Sequence, residues 1–271
     1  MREGTSGDRP IFVGGAGRSG TTLLRVMLNA HPHLCGGPEF KATPAIAAAY
    51  RQLVGFPDVL RAYGLGRADA AARFGSLLRD LLDPLRVSRG DVRIVEKTPH
   101  NVLFIPELAE MLPEARFLHV VRDGRDVSSS LMAVQWRDAS GEIPWYCRSL
   151  ENGFRYWTEV VTAGLRHERS PQFAGRIASL RYEDLVRRPE AVMRAVLRFL
   201  DEPWSDRVLE YTDVARPHDV EESSSRQVER PLYATSIGRW RTGADAEAVA
   251  MFKKVGGPLL IELGYEKDAE W

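Results

Sequence analysis

The sequence is poor in cysteine and contains no long apolar run. Of its 271 residues only Cys35 and Cys147 are cysteines, and their spacing does not match a metal-binding cluster. No segment approaches the ~18 consecutive apolar residues that a membrane-spanning helix requires, and the N-terminal MREGTSGDRP lacks the apolar core of a signal peptide. We therefore expect no metal site, no membrane contact and a cytoplasmic location.

An excess of charge of either sign is also missing. Lysine and arginine together number 37, as do aspartate and glutamate, so the formal net charge is zero. General nucleic-acid binders and membrane-surface binders carry a cationic excess, and we therefore expect no nucleic-acid partner. Any recognition of phosphate must depend on a local group of cations.

Repeats, low-complexity tracts and flexible linkers are absent, which predicts a single domain over residues 1–271 with residues 1–9 disordered. The predicted strands are apolar segments at residues 10–14, 92–95, 117–121 and 176–180. The predicted helices cover residues 21–30, 44–82, 102–111, 144–167 and 189–200. This alternation is typical of an α/β fold with a central parallel sheet flanked by helices. The aperiodic segment 216–240 predicts a loop that covers a ligand.

The segment GGAGRSGTTLLR follows the first predicted strand and begins the first predicted helix. Its glycines allow a tight turn in which successive N–H groups point at one anion, and the helix N-terminus adds partial positive charge. Arg18 supplies a cation, while Ser19, Thr21 and Thr22 supply hydroxyl groups. The order of these features favours a phosphate loop over a simple glycine-rich turn.

This loop differs from the loop of nucleoside triphosphatases. Gly15 and Gly20 have the spacing of that motif, but Thr21 stands where the motif has lysine. No aspartate at a predicted strand end is suited to hold Mg²⁺. Such a site suits the transfer of a group less charged than a γ-phosphate, for example a sulfuryl group. A kinase or nucleoside triphosphatase, and a non-catalytic nucleotide-binding protein on the same fold, are the alternatives.

A second strand-turn-helix segment, FLHVVRDGRDVSSS, also carries anion-binding groups. Arg122 can bind a phosphate through two parallel N–H groups, and Ser130 on the following helix can add a hydroxyl. An ion pair of Arg122 with Asp123 or Asp126 is the alternative. Arg125 is expected to be a solvated residue at the helix start.

The sequence GRSGTTLLRVMLNAHP resembles the 5′-phosphosulfate loop of sulfotransferases that use 3′-phosphoadenosine 5′-phosphosulfate (PAPS). It is most similar to tyrosylprotein sulfotransferases and their bacterial relatives. Further motifs of the family follow in the same order: EKTP, FLHVVRDGRDVSSS, RYEDL, RQVERP and LGY. The resemblance implies transfer of a sulfuryl group from PAPS to a hydroxyl of a small molecule, glycan, lipid or peptide tyrosine. Adenosine 3′,5′-bisphosphate is the implied second product.

The resemblance also implies a set of donor-binding residues. These are Arg18, Ser19, Gly20, Thr21, Thr22, Arg122, Ser130, Tyr182, Ser225, Arg226, Gln227 and Arg239. Arg122 and Ser130 would hold the 3′-phosphate, and Arg239 stands where relatives carry lysine. Tyr182 has two interpretations, one beside the nucleotide and one in the core with its hydroxyl satisfied.

Sulfuryl transfer requires an aligned acceptor oxygen, a base and cations near the transferred group. Arg18 and Lys97 are the candidate cations. Glu39 matches the family glutamate that lies eight positions beyond the histidine of a His-Pro pair, and it is the candidate base. His100 is the rival base, and Ser224 matches a serine that acts as an auxiliary donor.

The motifs do not specify which molecule accepts the sulfuryl group. The tyrosylprotein enzymes are anchored secretory proteins with a disulfide near the active site, whereas Val95 occupies the position expected to pair with the region of Cys35. This difference indicates a reducing compartment. A group of aromatic residues forms either an acceptor wall or ordinary core: Trp136, Trp145, Tyr146, Phe154, Tyr156 and Trp157.

Overall fold

A five-stranded parallel sheet with the strand order β2-β3-β1-β4-β5 lies at the centre of the fold. The structure is a computed structural model that describes residues 9–90, 92–134, 136–138, 140–213 and 232–271. The strands are β1 Ile11–Gly15, β2 Leu34–Gly36, β3 Arg93–Lys97, β4 Arg116–Val121 and β5 Ile177–Arg181. Every neighbouring pair is parallel, which confirms the predicted class of fold.

Side chains of the sheet alternate between two apolar cores because successive residues of a strand point to opposite faces. Phe12 and Phe117 lie in one core, and their rings stack with centroids 5.8 Å apart. Val13, Val95 and Leu118 lie in the other core. Both faces of the sheet are therefore covered, which agrees with the apolar residues 11–13 of β1 and 94–95 of β3.

Helices pack on both faces of the sheet. In chain order they are α1 Thr21–Asn29, α2 Ala42–Val54, α3 Pro57–Ala62, α4 Arg67–Ser88, α5 Ile105–Met111, α6 Gly124–Met132, α7 Leu150–Arg169, α8 Tyr182–Arg187, α9 Pro189–Phe199 and α10 Ala246–Glu262. Short 3₁₀ turns cover Pro99–Phe104, Trp145–Cys147, Pro171–Phe173, Asp206–Val208, Tyr211–Asp213 and Arg239–Thr242. Among the described residues, no helix is both long and apolar enough to cross a bilayer.

Several element boundaries differ from the sequence prediction. The predicted helix over residues 44–82 is three helices, α2 to α4, because Gly55 ends α2 and Gly64 adopts a left-handed φ of 69° after α3. The three-residue strand β2 and the helices α8 and α10 were not predicted. Of the residues expected to be disordered, the structure describes Arg9, whose carbonyl oxygen accepts a hydrogen bond from Arg93.

The register of the sheet places three strand ends at one edge. Val13 of β1 lies beside Lys97 of β3 on one side and beside Leu118 of β4 on the other. The loop after β1, the end of β3 and the turn after β4, which begins at Arg122, therefore lie next to one another. The carboxyl edge of an open parallel sheet is where ligands of such folds bind.

His119 of β4 is buried in the layer between the sheet and α7. Its ring lies against Gly164, where an added Cβ would be 2.3 Å from the ring carbon Cε1. His119 Nδ1 lies 3.1 Å from Ser179 Oγ on β5, and Ser179 gives its own hydroxyl proton to Glu168 at 2.6 Å. Glu168 also accepts the backbone N–H of Ser179 at 2.9 Å. The Ser179 oxygen therefore accepts from a neutral His119 that is protonated at Nδ1.

We expect His119 to make the fold sensitive to acid. Burial, with a smaller effect of His167, lowers the pKa of His119 from 6.5 to about 4. Because the unfolded chain binds this proton more readily, the stability is full above pH 6.5 and falls as the pH decreases toward 4. A shift of this size corresponds to roughly 3 kcal/mol.

Urea unfolding of the wild type and His119→Leu at several pH values tests this expectation, with each protein compared with its own value at pH 7.5. The variant should lose less free energy of unfolding between pH 6.5 and 4. Identical pH dependence of the two proteins would contradict the role of His119.

Candidate functional site

The loop between β1 and α1 has a strained backbone. Arg18 has a left-handed φ of 71°, a conformation that costs a non-glycine residue about 1–2 kcal/mol. The Ser19 N–H donates to Ala16 O at 3.1 Å, and the Gly17 N–H donates to the Tyr156 hydroxyl at 3.0 Å. These bonds hold the backbone on both sides of Arg18 and so fix the direction of its side chain.

Gly20 begins α1 from a position that only glycine fits well. Its φ is 92°, and an added Cβ would lie 2.3 Å from Cδ2 of the Tyr182 ring. The ring of Tyr182 is thus packed directly against the loop. Thr21 and Thr22 follow as the first residues of α1, and both are buried.

Two guanidinium groups converge beside this loop. Arg18 Nε donates to Ser130 Oγ at 3.1 Å, and Arg122 Nη1 donates to the carbonyl oxygen of Arg18 at 3.0 Å. Burial and the nearby charge of Arg122 lower the pKa of Arg18, and the neighbouring Tyr233 and Tyr182 oppose that effect. Like charges held this close repel each other, so an anion bound between them would be stabilised.

The alternative ion pair of Arg122 is not formed. Asp123 is bonded to Arg125 instead, and Asp126 accepts the backbone N–H groups of Gly238 at 2.7 Å and Trp240 at 2.9 Å. Arg122 lies over the ring of Tyr182 at 4.7 Å. The carboxylates nearest in sequence to Arg122 therefore bond other groups.

Two polar groups of the site lack a hydrogen-bond partner among the described residues: Ser19 Oγ and Arg122 Nε. Ser19 is fully buried, and Arg122 is 8% exposed. A buried donor without a partner is destabilising, and a bound anion would remove this cost. These two groups, with the glycine-rich loop and the two arginines, fit a ligand that carries phosphate or sulfate.

Arg125 is buried, and the prediction that it is solvated is wrong. It donates to both Asp123 carboxylate oxygens, at 3.0 and 2.7 Å, and also bonds Glu266. Its guanidinium lies 4.1 Å from the centre of the Trp240 ring and 4.7 Å from that of Trp271. Three of these four partners lie more than a hundred residues later in the chain, so the local sequence did not reveal them.

Glu183 connects three separate sequence motifs. It accepts the N–H of Asp123 at 2.9 Å and the hydroxyl of Tyr265 at 3.0 Å. Burial raises the pKa of Glu183, although these hydrogen bonds oppose the effect. The glutamate of RYEDL and the tyrosine of LGY thus fix the turn that presents Arg122. The motifs signalled these residues, but sequence reasoning assigned them no role.

The predicted covering loop, residues 216–240, is described only from residue 232. Ser224, Ser225, Arg226 and Gln227 lie outside the described residues.

The described part of this loop is anchored to the site. Ser236 O accepts from Arg122 Nη2 at 2.6 Å, and Ser236 Oγ lies 2.7 Å from the Tyr182 hydroxyl. Both interpretations of Tyr182 thus agree with its buried, bonded position beside the phosphate loop. Arg239 is exposed.

Lys97 and Glu39 form an ion pair at the same edge of the sheet. Lys97 Nζ donates to Glu39 Oε2 at 3.0 Å, and the side chains are 2% and 25% exposed respectively. The Lys97 ammonium therefore lies in the interior, with the more accessible carboxylate toward the surface.

The residue before Lys97 supports its position. Glu96 is buried and accepts bonds from Thr98 Oγ1 at 2.6 Å and from Asn101 Nδ2 at 2.5 Å. Thr98 in turn accepts the N–H of Lys41 at 3.2 Å, which connects β3 to the segment that carries Glu39. In the EKTP motif, then, Glu96 and Thr98 hold the backbone while Lys97 points to the site.

The aromatic residues divide into core and site. Phe154 and Trp157 are fully buried and belong to the core. Tyr146 and Tyr156 stack with ring centroids 4.2 Å apart, and the edge of Trp145 meets Tyr146 at 5.9 Å. An added Cβ on Gly17 would lie 3.0 Å from the Trp136 ring.

His100 lies within this aromatic group. Its Nε2 is 3.3 Å from the hydroxyl of Tyr156. Burial lowers the pKa of His100, while the charge of Glu39 opposes that effect. Burial, with a contribution from Glu39, raises the pKa of Tyr146 to about 12. The charge of Glu39 thus raises the pKa of both rings, against the effect of burial at His100 and together with it at Tyr146.

One group of potential metal ligands is found among the described residues, at the opposite end of α1 from the phosphate loop. It comprises His31, His33 and Glu202, whose ligand atoms lie within 4.8 Å of one another. Both ring nitrogens of His31 are already engaged, with Pro203 O at 2.8 Å and with the N–H of His33 at 3.2 Å. Glu202 pairs with buried Arg93 at 3.2 Å.

The parallel α/β sheet, the glycine-rich loop and the two converging arginines together form a site suited to a phosphate or sulfate group. A sequence profile of the sulfotransferase family matches residues 10–206, so the chain belongs to the sulfotransferase family.

Relatives with high similarity include protein-tyrosine sulfotransferase 1 of Danio rerio. It is 30% identical over 267 residues, with 96% of this chain and 73% of the relative covered. The protein-tyrosine sulfotransferase of Drosophila melanogaster is 29% identical over 265 residues, covering 94% of this chain and 51% of the relative. The chain thus spans about half of the Drosophila protein.

Solved structures share the fold at lower identity. A sulfotransferase domain from the curacin biosynthetic pathway has a TM-score of 0.64 and 20% identity, with 93% of this chain and 97% of that chain covered. A mouse sulfotransferase complexed with PAP has a TM-score of 0.60 and 12% identity, with 93% and 84% covered. These structures agree with the predicted parallel sheet flanked by helices.

The contact between Gly20 and Tyr182 predicts a specific effect of Gly20→Ala. A left-handed φ at alanine costs about 1 kcal/mol, and overpacking against the ring adds about 1–3 kcal/mol. Gly90→Ala is the matched control, since Gly90 has a φ of 88° but no atom within 4 Å of an added Cβ. Urea unfolding should show a clearly larger loss for Gly20→Ala. Equal losses would show that Tyr182 does not restrict this position.

Proposed function

We propose that this protein transfers a sulfuryl group from PAPS to a phenolic hydroxyl, with Glu39 as the base. The observation that carries the proposal is the Lys97–Glu39 ion pair. Lys97 lies beside Val13 of β1, and the phosphate loop follows directly after β1. A cation and a carboxylate are thus present next to the loop that would bind the donor. Sulfuryl transfer to a hydroxyl requires groups of these types.

The donor fits the arginine-rich side of the site. PAPS would supply the sulfuryl group and the adenosine 3′,5′-bisphosphate leaving group. The loop N–H groups, Ser19 and the first turn of α1 would hold its 5′-phosphosulfate. Arg122 and Ser130 would hold its 3′-phosphate, and Arg122 has an Nε without a partner among the described residues for this purpose.

The carboxylate fits the role of base. Glu39 is the more exposed member of its ion pair, so an acceptor hydroxyl can reach it while Lys97 orients the carboxylate from the interior. Glu39 would take the proton of the hydroxyl as its oxygen attacks. Lys97 and Arg18 would stabilise the negative charge that develops on the oxygens around the transferred group.

The aromatic group supports a phenolic acceptor. Trp145 is 43% exposed, and its ring edge meets Tyr146 at 5.9 Å. Aromatic walls of this kind favour planar aromatic ligands through stacking and edge contacts. The printed names of the relatives, protein-tyrosine sulfotransferases, are consistent with a tyrosine side chain as one such acceptor.

Binding of the product tests the donor site. We expect calorimetry to give a Kd near or below about 1 μM for adenosine 3′,5′-bisphosphate, and binding at least about tenfold weaker for ATP with Mg²⁺. Arg122→Gln should weaken bisphosphate binding by at least about tenfold through the loss of charge-assisted bonds. Arg79→Gln, at an exposed position on α4, is the control. A preference for ATP with Mg²⁺ would instead support a kinase.

Substitution of Glu39 tests the chemistry. Glu39→Gln preserves shape and can still accept a hydrogen bond from Lys97, so bisphosphate binding should stay unchanged. Turnover of a phenol or a tyrosine peptide with PAPS should fall by about 10²–10⁴-fold, as expected for loss of a general base. Glu159→Gln on the exposed face of α7 is the control. Normal turnover in Glu39→Gln would exclude Glu39 as the base.

A further inference from the structure

The hydroxyl of Tyr156 joins two parts of the site that are distant in sequence. Tyr156 is 4% exposed, and its hydroxyl lies 3.0 Å from the Gly17 nitrogen and 3.3 Å from His100 Nε2. The Gly17 N–H can only donate, so the phenolic oxygen is its acceptor. Among the described residues, the acceptor available for the hydroxyl proton of Tyr156 is His100 Nε2.

These two hydrogen bonds determine which ring nitrogen of His100 carries the proton. If Nε2 accepts from Tyr156, the neutral ring must carry its proton on Nδ1. Burial lowers the pKa of His100, which agrees with a neutral ring. The lone pair of Nε2 is then engaged, and Nδ1 has none to offer. A histidine in this state cannot take the proton of the hydroxyl group to which the sulfuryl group is transferred.

Gly17, which donates to the Tyr156 hydroxyl, lies in the strained part of the loop between β1 and α1. The next residue, Arg18, has a φ of 71°, and its carbonyl oxygen is held by Arg122 at 3.0 Å. Tyr156 holds the peptide on the other side of Gly17. The ring of Trp136 leaves little room there, since a Cβ on Gly17 would lie 3.0 Å from it. A strained backbone persists only where several contacts determine it.

We propose that Tyr156 and His100 are positioning residues: His100 orients the Tyr156 hydroxyl, which holds the loop at Gly17 in its donor-binding shape. Neither residue touches the reacting atoms in this arrangement. The link to donor affinity depends on the proposed function, whereas the hydrogen-bond order does not. The proposal assigns His100 a role other than that of base.

The tautomer of His100 tests the hydrogen-bond order without any ligand. Long-range ¹H–¹⁵N spectra of the imidazole should show the neutral Nδ1–H form in the wild type at pH 7.5. Tyr156→Phe removes the hydroxyl proton and should shift the ring toward the Nε2–H form. An Nε2–H or doubly protonated ring in the wild type would overturn the proposal.

A double-mutant cycle tests the effect on the loop. We expect Tyr156→Phe and His100→Leu each to weaken adenosine 3′,5′-bisphosphate binding by about fivefold, the value of one net hydrogen bond. The double variant should bind no more weakly than Tyr156→Phe alone, because His100 acts through Tyr156. His100→Gln, whose amide oxygen can accept the hydroxyl proton, should restore binding. Multiplied losses in the double variant would overturn the proposal.

Tyr63→Phe, at a position that is 80% exposed, is the control for this cycle and should bind like the wild type. Unchanged binding in Tyr156→Phe, with a wild type that binds, would reject the positioning role alone. A wild type that does not bind the bisphosphate would reject the proposed function, and the imidazole spectra would still decide the order of the hydrogen bonds.

Discussion

The parallel register of β1 with β3 and β4 is the constraint on which the whole site depends. Because β1 is central and both neighbours run in its direction, the three strands release their chains at the same edge. More than twenty residues of sequence separate the phosphate loop from Lys97, and more than twenty separate Lys97 from Arg122. Only the sheet brings them together, and the buried apolar strands provide the rigidity that such a site requires.

A protein without net charge can still have a local group of cations. Here the acidic residues near Arg122 form hydrogen bonds with groups other than Arg122. Asp123 is bonded to Arg125, Asp126 to backbone N–H groups, and Glu183 to the backbone of Asp123. Each carboxylate stabilises the shape of the site without pairing with Arg122. The positive potential of Arg18 and Arg122 is thereby directed at the loop, as anion recognition requires.

The parts of the structure that the sequence predicted are those with a local signal. Apolar runs located four of the strands, the glycine-rich turn located the loop after β1, and the resemblance of the EKTP motif to the family pointed to Lys97. Strand β2 was missed because a strand of only three residues is too short to show a period. The environment of Arg125 was predicted wrongly because Trp240, Glu266 and Trp271 come from the distant C-terminal region. Likewise, nothing in the local sequence of Tyr156 indicates that its hydroxyl meets Gly17.

The bonds that Glu168 makes to Ser179 have a consequence for behaviour at high protein concentration. Strand β5 is an outer strand of the sheet, and an outer strand presents backbone groups to which a strand of another molecule can pair. The carboxylate of Glu168 occupies the Ser179 N–H in the middle of β5 and brings a charge to that edge. A chain approaching this edge would have to displace the carboxylate and bury its charge. The same side chain that orders the hydrogen bonds around His119 therefore also occupies a backbone donor of this outer strand and makes pairing by another strand there less favourable.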